Sequence, residues 1–277
     1  MEKRRHSGPV KLVGAGIVPL SICPSTGVPH LLLGKERFVH GWSCSNKVSG
    51  FEGGNKCSET PEQNAARECH EETLGLVYAS KDRCVADLIE GHFIMCIVNE
   101  SRTKSHVTYI TLVPWIRDVG FKFNEIRSFL MELDTEAKKL DTIRSYTRAV
   151  LLGISEDGWT LNGISRNTLK VRTKLERMLA SSPHGVHPAI FVSRDKDGII
   201  QRVHVNSDYL EKVDMQYISV HTANEMLNSH PSILRPFFRP VLAAICTNIL
   251  ERPITTRRDS LKPYISHPQS QPHSHCT

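Results

Sequence analysis

The feature that most constrains the fold of this 277-residue chain is a helix whose two ends are both marked by residue type. Thr60 is a good N-cap, and Pro61 suits the first helical position. Gln63, three residues after Thr60, completes a capping box. Gly75 can close the C-terminus in a left-handed conformation. The pattern predicts a helix from about 61 to 73 that follows a glycine-rich loop.

Three glutamates of this helix share one face. Glu68, Glu71 and Glu72 stand at positions i, i+3 and i+4, so their side chains project within an arc of roughly 100°. Like charges at this spacing repel one another, whereas a hard divalent cation turns the repulsion into ligation. The neighbouring face, with Ala65 and Cys69, can pack against a sheet. The helix is therefore predicted to have one core face and one acidic face, and the spacing taken alone is equally typical of a solvated surface.

Such a face suits the hydrolysis of a diphosphate, whose negative charge repels nucleophiles. Bound Mg²⁺ neutralises phosphoryl oxygens and lowers the pKa of a ligated water, and a nearby carboxylate can act as general base. Gly53 and Gly54, ahead of the helix, let the backbone approach the helix and the phosphates.

The segment 53–76 resembles the Nudix box, G-x5-E-x7-R-E-U-x-E-E-x-G-U, in which U is a bulky aliphatic residue. The positions in register are Gly53, Glu59, Arg67, Glu68, Glu71 and Glu72. The resemblance implies that the three helix glutamates bind Mg²⁺, with Mn²⁺ as an alternative, and that Glu68 also serves as base. It further implies that Arg67 orients Glu59 or the loop carbonyls, and that Glu59 holds the loop.

The box departs from the pattern in three places. Gly75 comes one residue late, Cys69 stands where a larger aliphatic residue is usual, and Glu52 replaces the common proline before the Gly-Gly pair. The family often adds a carboxylate from a later strand or loop. Glu90 is the candidate for it and Glu100 the second choice, although no motif supports either.

The rest of the chain alternates between strand and helix patterns. Strands are predicted at 12–22, 30–36, 85–98, 106–115, 188–193, 199–205 and 215–221. Further helices are predicted from Phe123 toward Leu152, at 165–180 and at 234–249. The predicted class is α+β: a Nudix-type α/β/α sandwich with a mixed β-sheet and a helical insertion. Its predicted parts are 1–118 with the box, the insertion 119–185, the C-terminal part of the same domain 186–250, and a disordered tail 251–277.

Composition narrows the class of protein. No apolar run reaches the length of a membrane helix, and the basic N-terminus lacks a signal-peptide pattern. The 8 cysteines form no CxxC pair, so reduced thiols are expected. An intracellular, cytoplasmic protein is therefore predicted, with the nucleus as an alternative because both ends carry basic clusters. The net charge of +6 suits a polyphosphate or RNA partner.

The function expected from the box is Mg²⁺-dependent cleavage of the diphosphate in a nucleoside diphosphate linked to another moiety. Nucleotide sugars, dinucleotides, nucleoside triphosphates and an mRNA cap are all candidate substrates. The alternative is a non-catalytic Nudix-like module that binds a nucleotide or a protein. The sequence does not determine the substrate or the oligomeric state, and specificity is expected to depend on the insertion 119–185.

Overall fold

The structure, a computed structural model, describes residues 11–56, 58–100, 104–152, 161–182, 187–251 and 264–266. The strands in these ranges are β1 (Lys11–Ile22), β2 (Pro29–Glu36), β3 (Val48–Ser49), β4 (Phe51–Gly54), β5 (Met95–Glu100), β6 (Lys104–Leu112), β7 (Ile190–Arg194), β8 (Ile200–Val205), β9 (Lys212–Ser219) and β10 (Tyr264–Ser266). The α-helices are α1 (Pro61–Glu72), α2 (Lys81–Ile89), α3 (Val119–Leu151), α4 (Leu161–Ala180), α5 (Val220–Ser229) and α6 (Phe238–Glu251).

Eight of these strands form one mixed sheet. Its order is β10-β5-β6-β1-β2-β3, and β4 also pairs with β1 while β9 also pairs with β2. The β1–β6 and β10–β5 pairs are parallel, and the other pairs are antiparallel. The central strand β1 is buried over most of its length, as expected for a strand covered on both faces.

Helices cover both faces of this sheet. Val18 and Leu20 of β1 belong to a buried cluster with Val241 and Ile245 of α6. Successive strand residues point to opposite faces, so Ile17 lies on the other face, where α1 packs against β1 and β4. The predicted class, α+β with a mixed sheet between helices, is confirmed.

The chain divides into two compact units, residues 1–123 with 211–277 and the inserted residues 124–210. The inserted unit contains α4, the hairpin β7–β8 and all of α3 after Phe123. Leu130, Leu133, Ala137 and Leu140 recur at spacings of three and four and are buried, so this face of α3 is a packing surface. Lys139 and Lys174 also pair with the buried Glu136, at 2.6 and 2.9 Å.

Two predictions about these elements differ from the structure. The pattern of 85–98 predicts a strand, but α2 occupies the first part of this stretch and β5 begins only at Met95. A helix is favoured in this stretch because Ser80 caps the N-terminus of α2. Cys84 and Leu88, which are four residues apart, are buried, and α2 packs on α1. The inserted unit also runs to Leu210 and not to residue 185. The hairpin β7–β8 falls inside it, because these strands pair with each other and not with the large sheet.

The structure also bears on three further predictions, those of the membrane helix, the thiols and the tail. Within the described ranges, no helix has the length and apolar character needed to cross a membrane. The described thiols of Cys23, Cys44, Cys69, Cys84, Cys96 and Cys246 are free. Most of the tail predicted to be disordered lies outside the described residues, apart from β10.

Candidate active site

The helix that carries the acidic residues has the ends that its sequence predicts. Thr60 Oγ1 accepts a hydrogen bond from the backbone N–H of Gln63 at 3.3 Å, and Gln63 Oε1 accepts one from the backbone N–H of Thr60 at 2.9 Å. Gly75 has a φ of 72° and donates its N–H to the carbonyl of His70. Leu74 has a φ of 55°, so the late glycine is accommodated by two successive left-handed residues. The predicted capping box and C-terminal glycine are confirmed.

The acidic face of α1 lies inside the protein. Glu68, Glu71 and Glu72 are only 7%, 6% and 2% exposed, and every residue from Asn64 to Glu72 is buried. Buried carboxylates need partners, because removing a charge from water without compensation is costly. Each of the three is accordingly held by donors from the protein.

Arg67 is the hub that organises the site. Its Nε donates to Glu59 Oε1 at 2.7 Å, and its Nη1 donates to Glu68 Oε1 at 2.6 Å and to Glu71 Oε2 at 3.0 Å. Its Nη2 donates to the carbonyl of Gly54 at 2.9 Å and to Glu59 Oε2 at 3.1 Å. The planar guanidinium thus fixes two helix carboxylates and the loop at once. These contacts include both alternatives that the resemblance implies for Arg67, Glu59 and a loop carbonyl.

Gly53 lies directly against the carboxylate of Glu68. A Cβ at Gly53 would lie 2.3 Å from Glu68 Oε1 and 2.4 Å from Cδ, closer than a Cβ can approach another atom. A Cβ at Gly54 would meet nothing nearer than the carbonyl of Val13, at 4.0 Å. Only the first of the two predicted loop glycines is therefore required by the packing of a side chain. Burial raises the pKa of Glu68 to about 7, although Arg67 opposes the shift.

Glu72 is held differently from the other two glutamates. Its Oε1 lies 3.2 Å from Nζ of Lys212, and its Oε2 accepts the backbone N–H of Glu52 at 2.9 Å. Lys212 is fully buried and also donates to Glu36 Oε1 at 2.6 Å and to Ser49 Oγ at 2.9 Å. Burial alone would lower the pKa of Lys212, but the nearby carboxylates outweigh it, so the pKa lies above its ordinary value.

Sequence reasoning missed this buried network, because its members come from β2, β3 and β9 and no local pattern links them. Arg235 completes it by donating from Nη1 to Glu36 Oε1 at 3.0 Å. Two cations, Lys212 and Arg235, then face three buried carboxylates, those of Glu36, Glu72 and Glu52. Within the described part of the chain, the two carboxylate oxygens of Glu52 accept no hydrogen bond. Burial raises the pKa of Glu52 above its ordinary value, although the positive charges of Arg235 and Lys212 oppose the shift.

His106 lies beside Glu52 in a largely apolar setting. Its Nε2 is 3.9 Å from Glu52 Oε2, and the ring packs edge-on against Phe237 at 4.5 Å between centroids. Its Nδ1 makes no hydrogen bond with any residue that the structure describes. Burial, reinforced by the positive charge of Arg235, lowers the pKa of His106 to about 4. The imidazole is therefore neutral at physiological pH.

Lowering the pH from 7 to 5 is expected to destabilise the protein through His106. A histidine in the unfolded chain titrates near pH 6.5. Between that value and about 4 the unfolded chain binds more protons than the folded one. The contribution of His106 to the free energy of unfolding is fully present above about pH 6.5. It decreases as the pH falls, by about 2 kcal/mol at pH 5. Urea unfolding of wild type and His106→Gln at both pH values checks this. A pH dependence of equal size in the two proteins would contradict it.

Glu90 is not brought together with the other predicted site residues. It follows the last residue of α2 on the surface, with 61% of its side chain exposed, and its Oε2 lies 3.5 Å from Nδ1 of His92. Among the described residues it has no ion pair with Arg67, the cation that joins Glu68 and Glu71. The side chain of Glu100, the second choice, lies outside the described part. Besides Glu59, the acidic residue that lies against α1 is Glu52, whose backbone N–H bonds to Glu72.

No protein-family model matches the sequence, and no curated protein matches it. Partial matches among solved structures include an Ap4A hydrolase and proteins described as Nudix hydrolases or as a MutT/nudix family protein. An Ap4A hydrolase from C. elegans, solved as a binary complex, is 18% identical with a TM-score of 0.26, over 38% of this chain and 68% of that one. The Nudix hydrolase RenU from M. smegmatis is 16% identical with a TM-score of 0.24, over 39% of this chain and 65% of that one.

A MutT/nudix family protein from Enterococcus faecalis is 17% identical with a TM-score of 0.27, over 40% of this chain and 39% of that one. The chain thus spans less than two thirds of two of these three proteins. Likenesses of this size carry no weight for activity or substrate. What the chain can do has to be judged from the geometry around Arg67, Gly53 and the buried glutamates.

Proposed function

We propose that this protein is a divalent-metal-dependent hydrolase that cleaves the diphosphate bond of a nucleoside diphosphate linked to another moiety. The observation that carries the proposal is the pairing of Glu68 and Glu71. One guanidinium nitrogen of Arg67 bonds to both carboxylates. Gly53, near the end of β4, packs so closely against Glu68 that a side chain at position 53 would overlap with its carboxylate. A buried pair of carboxylates next to a glycine loop is suited to hold a metal ion against a phosphate chain.

The donor set fits Mg²⁺, with Mn²⁺ as the alternative. Arg67 occupies Oε1 of Glu68 and Oε2 of Glu71, and Lys56 Nζ lies 3.8 Å from the latter oxygen. Among the described residues, the second oxygens of Glu68 and Glu71 accept no hydrogen bond. Hard divalent ions prefer such carboxylate oxygens and retain several waters, so a site of few protein ligands is sufficient.

The chain's own residues have distinct roles in this proposal. Glu68 takes the proton of the attacking water, because its carboxylate is fixed between Gly53 and Arg67. Arg67 positions Glu68, Glu71 and the Gly54 carbonyl without contacting substrate. Bound Mg²⁺ would supply charge neutralisation at the phosphoryl oxygens and a ligated water of lowered pKa. Burial of the carboxylates keeps bulk water away from these groups.

The test is release of nucleoside monophosphate from a panel of nucleotide sugars, dinucleotides, nucleoside triphosphates and capped RNA, with Mg²⁺, with Mn²⁺ and with EDTA. Turnover is expected only with metal, and the best substrate identifies the class. Glu71→Gln is expected to raise the Mg²⁺ concentration needed for half-maximal turnover by about tenfold or more, because a charged ligand is lost. Its volume and hydrogen bond with Arg67 are retained, which makes it a conservative variant.

A second candidate function is a Nudix-like module that binds nucleotides or proteins without turnover. The observation that favours it is the occupation of Glu72 by Lys212 and by the backbone of Glu52, which removes one of the three helix carboxylates from metal binding. Binding of a nucleotide with no product released under any metal condition would establish this function. Turnover that disappears in EDTA would exclude it.

A further inference from the structure

We propose that the ammonium group of Lys212 neutralises Glu72 on the acidic face of α1 and so takes the place of a divalent ion there. Glu68 and Glu71 are then the carboxylates that bind the metal. This inference rests on the proposed function, because it concerns the same metal site. It assigns to Glu72 a structural role that the box pattern does not assign to it.

The first support is the position of the ammonium group. Nζ of Lys212 lies within 3.2 Å of Glu36 Oε1, Ser49 Oγ and Glu72 Oε1, and the side chain is 0% exposed. Lysine is rarely buried so completely unless it is paired. Three acceptors within hydrogen-bonding distance match the three N–H groups of an ammonium ion. The position is therefore built for a charged lysine.

The second support is the space that Gly34 leaves for the methylene chain of Lys212. Gly34 of β2 has no side chain, and a Cβ there would lie 3.0 Å from Cδ of Lys212 and 3.0 Å from the ring of Phe51. Any larger residue at 34 would compete with the stem for this space. Because β9 pairs with β2, the lysine crosses Gly34 to reach the carboxylates. The strand partner is thus shaped for Lys212.

The third support is the difference among the three glutamates. Both oxygens of Glu72 are engaged by the protein, one by Lys212 and the other by the N–H of Glu52. Glu68 and Glu71 share one guanidinium nitrogen of Arg67 and, among the residues described, keep an oxygen each without a hydrogen bond. A metal at Glu72 would have to displace an ammonium ion that also satisfies Glu36. A metal at Glu68 and Glu71 displaces no buried cation.

Mn²⁺ binding distinguishes the three glutamates without any assay of turnover. Electron paramagnetic resonance of the full chain gives the number and dissociation constant of bound Mn²⁺ ions. Relative to wild type, Glu72→Gln is expected to change the dissociation constant by about twofold or less, whereas Glu71→Gln weakens it about tenfold or more. The side-chain amide that Glu72→Gln introduces has one oxygen for Lys212 or the N–H of Glu52, and its NH₂ group faces the other donor, so circular dichroism of both variants has to show that they are folded.

The variant Lys212→Met tests the same proposal by removing the cation while Glu72 stays in place. Its thermal unfolding in EDTA should occur at a lower temperature than that of wild type. Mn²⁺ should restore part of the loss by binding one additional ion per chain, and the double variant Lys212→Met/Glu72→Gln should not bind that ion. If Lys212→Met fails to fold, the comparison of Glu72→Gln with Glu71→Gln still decides.

Two failures can be told apart. If wild type binds Mn²⁺ and Glu72→Gln weakens binding as much as Glu71→Gln does, Glu72 is a metal ligand. The role of Lys212 is then overturned while the proposed function stands. If wild type binds no Mn²⁺ at all, the metal site itself, and with it the proposed function, is overturned.

Discussion

Gly53→Ala is expected to lower turnover about 100-fold or more while the protein remains folded. The new methyl group would lie 2.3 to 2.6 Å from three atoms of the Glu68 carboxyl group, so the carboxylate has to move by about 1 Å or more. Misplacement of a catalytic group by about 1 Å can cost a factor of about 10² in rate. The strand itself need not move, because the obstructing atoms are the end of a side chain.

The adjacent glycine provides a matched control. Gly54→Ala adds the same methyl group at the next position, where the nearest atom is the Val13 carbonyl at 4.0 Å. Its turnover is expected to fall less than about tenfold, since no catalytic group is displaced. Steady-state kinetics on the best substrate, with circular dichroism melting of both variants, makes the comparison. Equal losses in the two variants would show that the backbone flexibility of β4 matters here and that the position of Glu68 does not.

The local part of this site could be predicted from the sequence. The cap residues Thr60 and Gln63 and the glycine after the helix act within a few residues, so their pattern fixes where α1 begins and ends. The same helix period places Glu68, Glu71 and Glu72 together. Which side of the helix is buried does not follow from that period, and the carboxylates proved to be enclosed.

The non-local part could not be predicted. Lys212 meets a carboxylate 176 positions earlier in the chain, and Arg235 meets the same carboxylate from 199 positions away. The contact of Lys212 depends on the pairing of β9 with β2, whereas Arg235 is placed by the bond from its backbone N–H to the Val48 carbonyl, and no local pattern determines either. The strand prediction for 85–98 is wrong for a related reason. The apolar residues of this stretch suit a strand as well as a helix, and the packing of α2 on α1 decides between them.

In both the local and the non-local part of the site, a basic side chain compensates the charge of buried carboxylates. Arg67 lies close to its carboxylates in the chain, and Lys212 reaches its carboxylates across the sheet, yet each cation holds at least two buried acidic groups. Removal of either cation leaves carboxylates without compensation, which is costlier than the loss of an exposed ion pair. Arg67 has the more hydrogen bonds of the two to lose.

Arg67→Met is therefore expected to lower the free energy of unfolding by about 3–5 kcal/mol, because it leaves buried carboxylates of Glu68 and Glu71 unpaired. Arg67→Lys should recover only part of this loss. A lysine keeps the charge, but it cannot reach Glu59, the helix carboxylates and the Gly54 carbonyl with one planar group. Urea denaturation of the three proteins at pH 7 gives the values, provided that the dependence on urea concentration is the same for all.

The matched control for Arg67 lies on the next helix. Arg83 pairs with Asp87 at 3.1 Å with the same i, i+4 spacing that joins Arg67 to Glu71, but its side chain is 74% exposed. Arg83→Met is expected to cost about 0.5 kcal/mol or less, since solvent already screens the pair. A loss at Arg67 as small as that at Arg83 would mean that the buried carboxylates are protonated or hydrated without the guanidinium. Glu68 and Glu71 would then not be held as charged groups, and the proposed metal site would lose its structural basis.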